Sequence, residues 1–126
     1  MDLSNYVKSG YPLLYVETFE INRACESIKT NESINLLRWN CIDGFIELDN
    51  KCESVDEFIP FCKSITNTLI IAENFNFFFE NEQVIQMLLC AIPILKSQNV
   101  TICIIGAMHP KKFPSELKKC IHCIEF

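Results

Sequence analysis

The side chains of this 126-residue chain that could do chemistry are few, and their spacing says where to look. Five apolar or β-branched residues run unbroken from Thr68 to Ala72, and Glu73 and Asn74 follow directly. Such a run predicts a fully buried central strand whose polar residues emerge at its carboxyl end. In open α/β sheets that end is where ligands bind. A carboxylate there can polarise a water or hold a magnesium ion through water, so Glu73 is the first candidate for a catalytic acid. Glu17, after the apolar run Leu13–Val16, and His109, after Val100–Ala107, are the weaker candidates at neighbouring strand ends. The competing reading is structural: a carboxylate at a strand end commonly bonds nearby backbone or points to solvent.

A nucleotide site would need a phosphate cradle after the first strand, with glycines for close backbone approach and a lysine for charge. Here that strand runs into Glu17-Thr18-Phe19-Glu20. The chain's three glycines, Gly10, Gly44 and Gly106, all lie elsewhere. Two acids in that loop would repel phosphate, and the dinucleotide fingerprint is missing as well. No nucleophile-elbow sequence accompanies either histidine, His109 or His122. A cysteine or serine nucleophile would need one of them as base.

Cys120-Ile121-His122-Cys123 has ligand-type residues, but a structural zinc site needs four ligands and no second pair occurs. On a strand, residues three apart face opposite ways, so the two thiols diverge unless Cys120 precedes the strand. A redox pair normally opens a helix, which is not expected here. The remaining cysteines, among eight in all, mostly fall where a small apolar residue fits. They are expected to be buried free thiols.

The elements that must position these residues follow from periodicity. Residues 1–11 form a short lead-in ending at Gly10. Leu13–Glu17 is the first strand. Thr18 can cap a helix whose face is Ile21, Ala24, Cys25 and Ile28, with Asn31 helping to end it. Asn35–Trp39 is a second strand. Asp43-Gly44, between Trp39–Ile42 and Phe45–Leu48, predicts a small hairpin. Ser54-Val55-Asp56-Glu57 reads as a capping box, in which Ser54 accepts from the Glu57 amide and Glu57 reaches back. Pro60 bends the helix that it opens. The central strand 68–73 is next, then the aromatic linker Phe75–Phe79. A helix from about Asn81 to Ser97 is apolar all round through its middle and should be largely covered. Strand 100–107, a loop with a short helix near Pro114, and strand 121–126 complete the chain. Strands alternating with helices predict an α/β three-layer sandwich with a mostly parallel sheet. Residues 1–126 read as a single domain.

The aromatic run is the most unusual stretch. Part of it must pack under the following helix. If two or more of Phe75, Phe77, Phe78 and Phe79 are exposed, they form a partner-binding patch.

Composition narrows the classes further. The chain is 49% hydrophobic with net charge −5, from 16 acidic and 11 basic residues. That balance argues against nucleic acid or an anionic membrane as the main partner. Met1–Lys8 lacks an apolar signal core, and no apolar stretch is long enough for a membrane span. The expectation is a cytoplasmic protein in a reducing compartment.

Several stretches together carry a resemblance. Thr68–Asn74 resembles the second acidic motif (Walker B) of AAA ATPases, with Glu73-Asn74 in place of the usual Asp-Glu. Ile102–Pro110 resembles their sensor strand, with the sensor position near Met108. Pro114–Leu117 and Cys120–Phe126 resemble the approach to their last core strand. Ser9–Thr18 and Arg38–Gly44 are similar to the amino-terminal region of the chloroplast and cyanobacterial open-reading-frame type of AAA protein and its bacterial relatives. In that family a degenerate ATPase-like domain without a phosphate loop precedes an active AAA module. The resemblance spans nearly the whole chain. It implies a five-stranded sheet of order 5-1-4-3-2, no cofactor, and a non-catalytic pseudo-ATPase domain serving assembly, regulation or binding of a protein partner or AAA module. It leaves oligomerisation open. Two rival readings stand beside it. One is a nucleotide-binding domain with an unconventional site near Glu17, Glu73 and His109. The other is a free-standing adaptor or inhibitor of the same fold.

Overall fold

A computed structural model describes residues Met1–Phe126. Its centre is a six-stranded sheet: β1 (Leu13–Glu17), β2 (Asn35–Asn40), β3 (Gly44–Phe45), β4 (Thr68–Glu73), β5 (Val100–Gly106) and β6 (Ile121–Ile124). Along the sheet the order is β3-β2-β4-β5-β1-β6. All pairings are parallel except β2 with β3. This corrects the expected five-stranded order 5-1-4-3-2: a sixth strand, β3, is added at the edge beyond β2, while the five parallel strands run β6-β1-β5-β4-β2. The Asp43-Gly44 turn returns a two-residue strand that pairs Phe45 with Trp39 and adds an antiparallel edge. Gly44 makes that return possible. Its φ is +68°, and a Cβ there would sit 2.2 Å from the Lys51 carbonyl oxygen.

Five α-helices cover the sheet: α1 (Ser4–Lys8), α2 (Ile21–Ser27), α3 (Val55–Cys62), α4 (Glu82–Gln98) and α5 (Ser115–Lys118). Side chains alternate across each strand, so every buried strand feeds two cores. Leu13, Tyr15, Ile70, Ala72, Ile102 and Ile104 point into the larger core, which holds 23 buried residues and is roofed by α3 and α4. Leu14, Val16, Leu69, Ile71, Cys103 and Ile105 point into a smaller one of 12 residues beneath α1 and α2. The lead-in is therefore part of the fold: Leu3 and Val7 are buried in the second core.

Local chemistry explains the boundaries, and several differ from expectation. Glu20, not Thr18, is the N-cap of α2; Thr18 Oγ1 instead accepts from the Glu20 amide in a local turn. That helix ends at Ser27 rather than near Asn31, because Ile28 is already extended and the neighbouring Lys29 pairs with Asp2. Ser54 Oγ caps α3 by accepting from the Asp56 amide (3.1 Å), while the Glu57 amide bonds the Ser54 carbonyl; the reciprocal box does not form. Asn81 Oδ1 accepts from the Gln83 and Val84 amides at the start of α4. Asn99, left-handed at φ +55°, ends it. The middle of α4 is less covered than expected: Cys90, Pro93 and Ile94 face solvent, because the helix packs on one side only.

Candidate functional site

The three candidate groups at the strand ends do not converge. Glu73 shares the α2 side of the sheet with Leu69 and Ile71, and β2 places Arg38 and Asn40 on that same side. Arg38 Nε donates to Glu73 Oε1 (2.6 Å), and the Arg38 Nη2 atom forms an ion pair with the same oxygen. Asn40 Nδ2 donates to Glu73 Oε2 (3.2 Å), and Cys25 Sγ, on α2, donates to Oε1 (3.5 Å). Arg38 Nη2 also donates to Asn22 Oδ1 (2.6 Å), again on α2. The Arg38 and Glu73 side chains are only 22% and 13% exposed. Burial opposes the Arg38 charge, but the Glu73 hydrogen bond and the charges around it outweigh that, and its pKa is raised. Burial pushes the Cys25 thiol up to about 12, so it remains a thiol that donates to the carboxylate. Glu73 thus ties β4 to β2 and α2, and both its oxygens are engaged.

Glu17 and His109 do meet, in a cavity of about 800 Å³ over the carboxyl ends of β1, β4 and β5. Its other key walls are Phe19, Ile21, Phe77 and Met108, with Glu80 and Lys112 at its polar margin. Glu73 does not line it. The loop from β1 to α2 is only Thr18-Phe19-Glu20, too short to wrap a phosphate, and it presents Phe19 instead. Phe19 is 89% exposed. His109 is exposed, and its Nδ1 accepts from the Lys111 amide (3.1 Å), which opens a short 3-10 turn over Pro110–Lys112. At the expected sensor position the Met108 carbonyl accepts from the Tyr15 hydroxyl (2.7 Å). Burial pushes Tyr15 up to about 12.

The aromatic run divides by position. Asn74 is left-handed (φ +56°) and turns the chain from β4 into a 3-10 helix, Phe75–Phe78. Phe75 and Phe79 go into the larger core, Phe78 is half-buried, and Phe77 is 70% exposed. The four phenylalanines therefore do not form one patch. Phe77 lines the cavity together with Phe19, a single ring in a polar loop that carries no periodic signal in the sequence. Asn76 is also buried, and its Oδ1 has no hydrogen-bond partner. It lies against Gly106, where a Cβ would come within 2.0 Å of that oxygen.

The cysteines also divide. Cys25, Cys52, Cys62 and Cys103 are buried, Cys120 is intermediate, and Cys41, Cys90 and Cys123 are exposed; all eight are free. Cys120 precedes β6 and Cys123 lies within it. No group of three or more His, Cys, Asp or Glu side chains is arranged to hold a metal ion. No helix is long and apolar enough to cross a membrane.

Residues 1–126 match the family described as SpoVK-like AAA ATPase, N-terminal domain. The chain belongs to that family. Among curated proteins, an uncharacterised AAA domain-containing protein, ycf46, of Trieres chinensis is 29% identical over 131 residues. The match takes in 95% of this chain and 26% of that protein, so the chain spans about a quarter of its relative's length. Among solved structures, the crystal structure of a DNA replication initiation factor superposes with a TM-score of 0.58 at 12% identity. That superposition covers 98% of this chain and 43% of the other, and it establishes likeness of fold alone. In this member of the family, Glu73 at the end of β4 is bonded into the fold.

Proposed function

We propose that this chain is a non-catalytic, pseudo-ATPase domain of an AAA-type ATPase, and that it serves assembly, regulation or binding of a protein partner. One observation carries the reading: Glu73, the residue in the acidic-motif position, has both carboxylate oxygens occupied by Arg38, Asn40 and Cys25 and lies outside the cavity at the strand ends. A carboxylate held in that way is unavailable to activate water or carry a hydrated metal ion. The short β1–α2 loop, with Phe19 and Glu20 where a phosphate cradle would lie, supports the same conclusion. A partner-binding role draws on the apolar side chains left exposed on that face.

The test is a thermal-shift titration of the chain with ATP and magnesium. A ligand that binds the folded state must raise the melting temperature. The expected result is no shift. A saturable rise, abolished by Glu17→Gln or His109→Ala, would replace this reading with an unconventional nucleotide site in the same cavity.

A further inference from the structure

Of the seven large hydrophobic residues that the fold leaves exposed, four lie in segments leaving the carboxyl ends of strands: Phe19 after β1, Ile42 after β2, Phe77 after β4 and Phe126 after β6. Of these, the Phe126 ring lies under the Arg23 guanidinium (5.5 Å), and Phe19 (89%) and Phe77 (70%) are the most exposed rings. Phe19 and Phe77 both line the 800 Å³ cavity, together with Ile21 and Met108. Glu17 also lines a second cavity of about 410 Å³, beside Glu125 and Phe126.

The charge around these cavities is uneven. Glu17 and Glu80 line the larger one and Glu17 and Glu125 the smaller, against a single lysine, Lys112, in the larger. The chain's two ion pairs are Arg23 with Glu20 and Arg38 with Glu73, so these three carboxylates have no cationic partner within the fold. A cavity lined by two exposed aromatic rings, by Ile21 and Met108 and by unpaired acids is complementary to an apolar side chain flanked by basic ones.

We propose that the cavity lined by Phe19 and Phe77 receives an extended protein segment in which a large apolar side chain is flanked by lysine or arginine. The proposal rests on the partner-binding reading above and names the partner's chemistry. The apolar residue packs against the Phe19 and Phe77 rings, while Glu17 and Glu80 meet the flanking cations and set register and salt dependence.

Fluorescence anisotropy on the whole 126-residue chain tests this. The probes are two labelled peptides of about 12 residues, each with a central Leu-Phe pair flanked by two lysines or by two glutamates on either side. The lysine-flanked probe should bind at least about tenfold more tightly, and the gap should narrow as salt rises from about 50 to 300 mM. Phe19→Ala and Phe77→Ala should each weaken it by about tenfold, and Glu17→Gln with Glu80→Gln should flatten the salt dependence. Circular dichroism and melting curves of each variant should match the parent, since all four residues are exposed. Equal binding of the two probes, or binding unchanged in both phenylalanine variants, would overturn the proposal. So would concentration-dependent dimerisation that Phe77→Asp abolishes without any probe binding, which would assign the cavity to a second copy of the chain. These failures leave the non-catalytic reading standing; a melting-temperature rise with ATP and magnesium is what removes that one.

Discussion

At the scale of single residues, the Glu73–Arg38 pair is the contact on which the functional argument turns. Because it is mostly buried, removing one partner strands the other in a place where it cannot be hydrated. Arg38→Ala should cost about 3 kcal/mol in urea unfolding, whereas Arg38→Met with Glu73→Leu should recover most of that loss. Recovery that fails would show the pair contributing more than mutual neutralisation. Gly106 offers a second test. Asn76 is buried, so its side chain has little room to move, and Gly106→Ala should cost about 1–3 kcal/mol through overpacking. Adding Asn76→Ala should remove part of that cost in a double-mutant cycle. Strict additivity would mean that the collision is relieved elsewhere. At this scale the sequence located Glu73 correctly at a strand end. It could not show that the side chain faces α2 and a distant arginine, because residues 35 positions apart meet only after β2 and β4 pair.

At the scale of elements, the segment Phe75–Phe79 shows how one short 3-10 helix separates core from surface. Phe75 packs against Phe58 (5.6 Å between ring centroids) and Trp39 (6.0 Å), and Trp39 in turn stacks on Phe58 at 4.0 Å. Trp39 Nε1 donates to the Cys52 carbonyl, so its one polar atom is satisfied inside the core. Phe75→Ala should therefore cost about 3–5 kcal/mol of folding stability. Phe77→Ala, two residues on, should change it by no more than about 0.5 kcal/mol, measured in the same urea series. A large loss at Phe77 would move that ring into the core and sink the binding proposal with it. The aromatic composition was plain from sequence. The division was not, because a 3-10 helix repeats every three residues, and its phase was set by the left-handed turn at Asn74. The β3 strand was legible in the Asp43-Gly44 turn, but it spans only Gly44–Phe45, shorter than the apolar stretch Phe45–Leu48 suggested.

At the scale of the whole molecule, the two cores bury groups that resist ionisation. Burial pushes Cys25, Cys103 and Tyr15 up to about 12, against ordinary values of 9.0 for the thiols and 10.0 for the phenol; Cys62 is raised well above its ordinary value for the same reason. The native state thus keeps protons that the unfolded chain gives up. The stability linked to these groups is fully present below the unfolded values and is lost as pH rises through the folded ones. Urea midpoints should hold from neutral pH to about pH 9 and fall steadily towards pH 12. A midpoint that stays level across that range would show that the buried thiols and Tyr15 are less insulated than the fold implies. The sequence by itself determined the alternation of strands and helices, the burial of β4 and β5, and the lack of a phosphate cradle. These follow from hydrophobic period and residue type, which are local properties of the chain. Only the tertiary structure decided that Glu73 is bonded away from the strand-end cavity, that Glu17 and His109 share that cavity, and that Phe19 and Phe77 both line it. Those are contacts between segments far apart in sequence, and they exist only once strand pairing fixes which face of the sheet each side chain occupies.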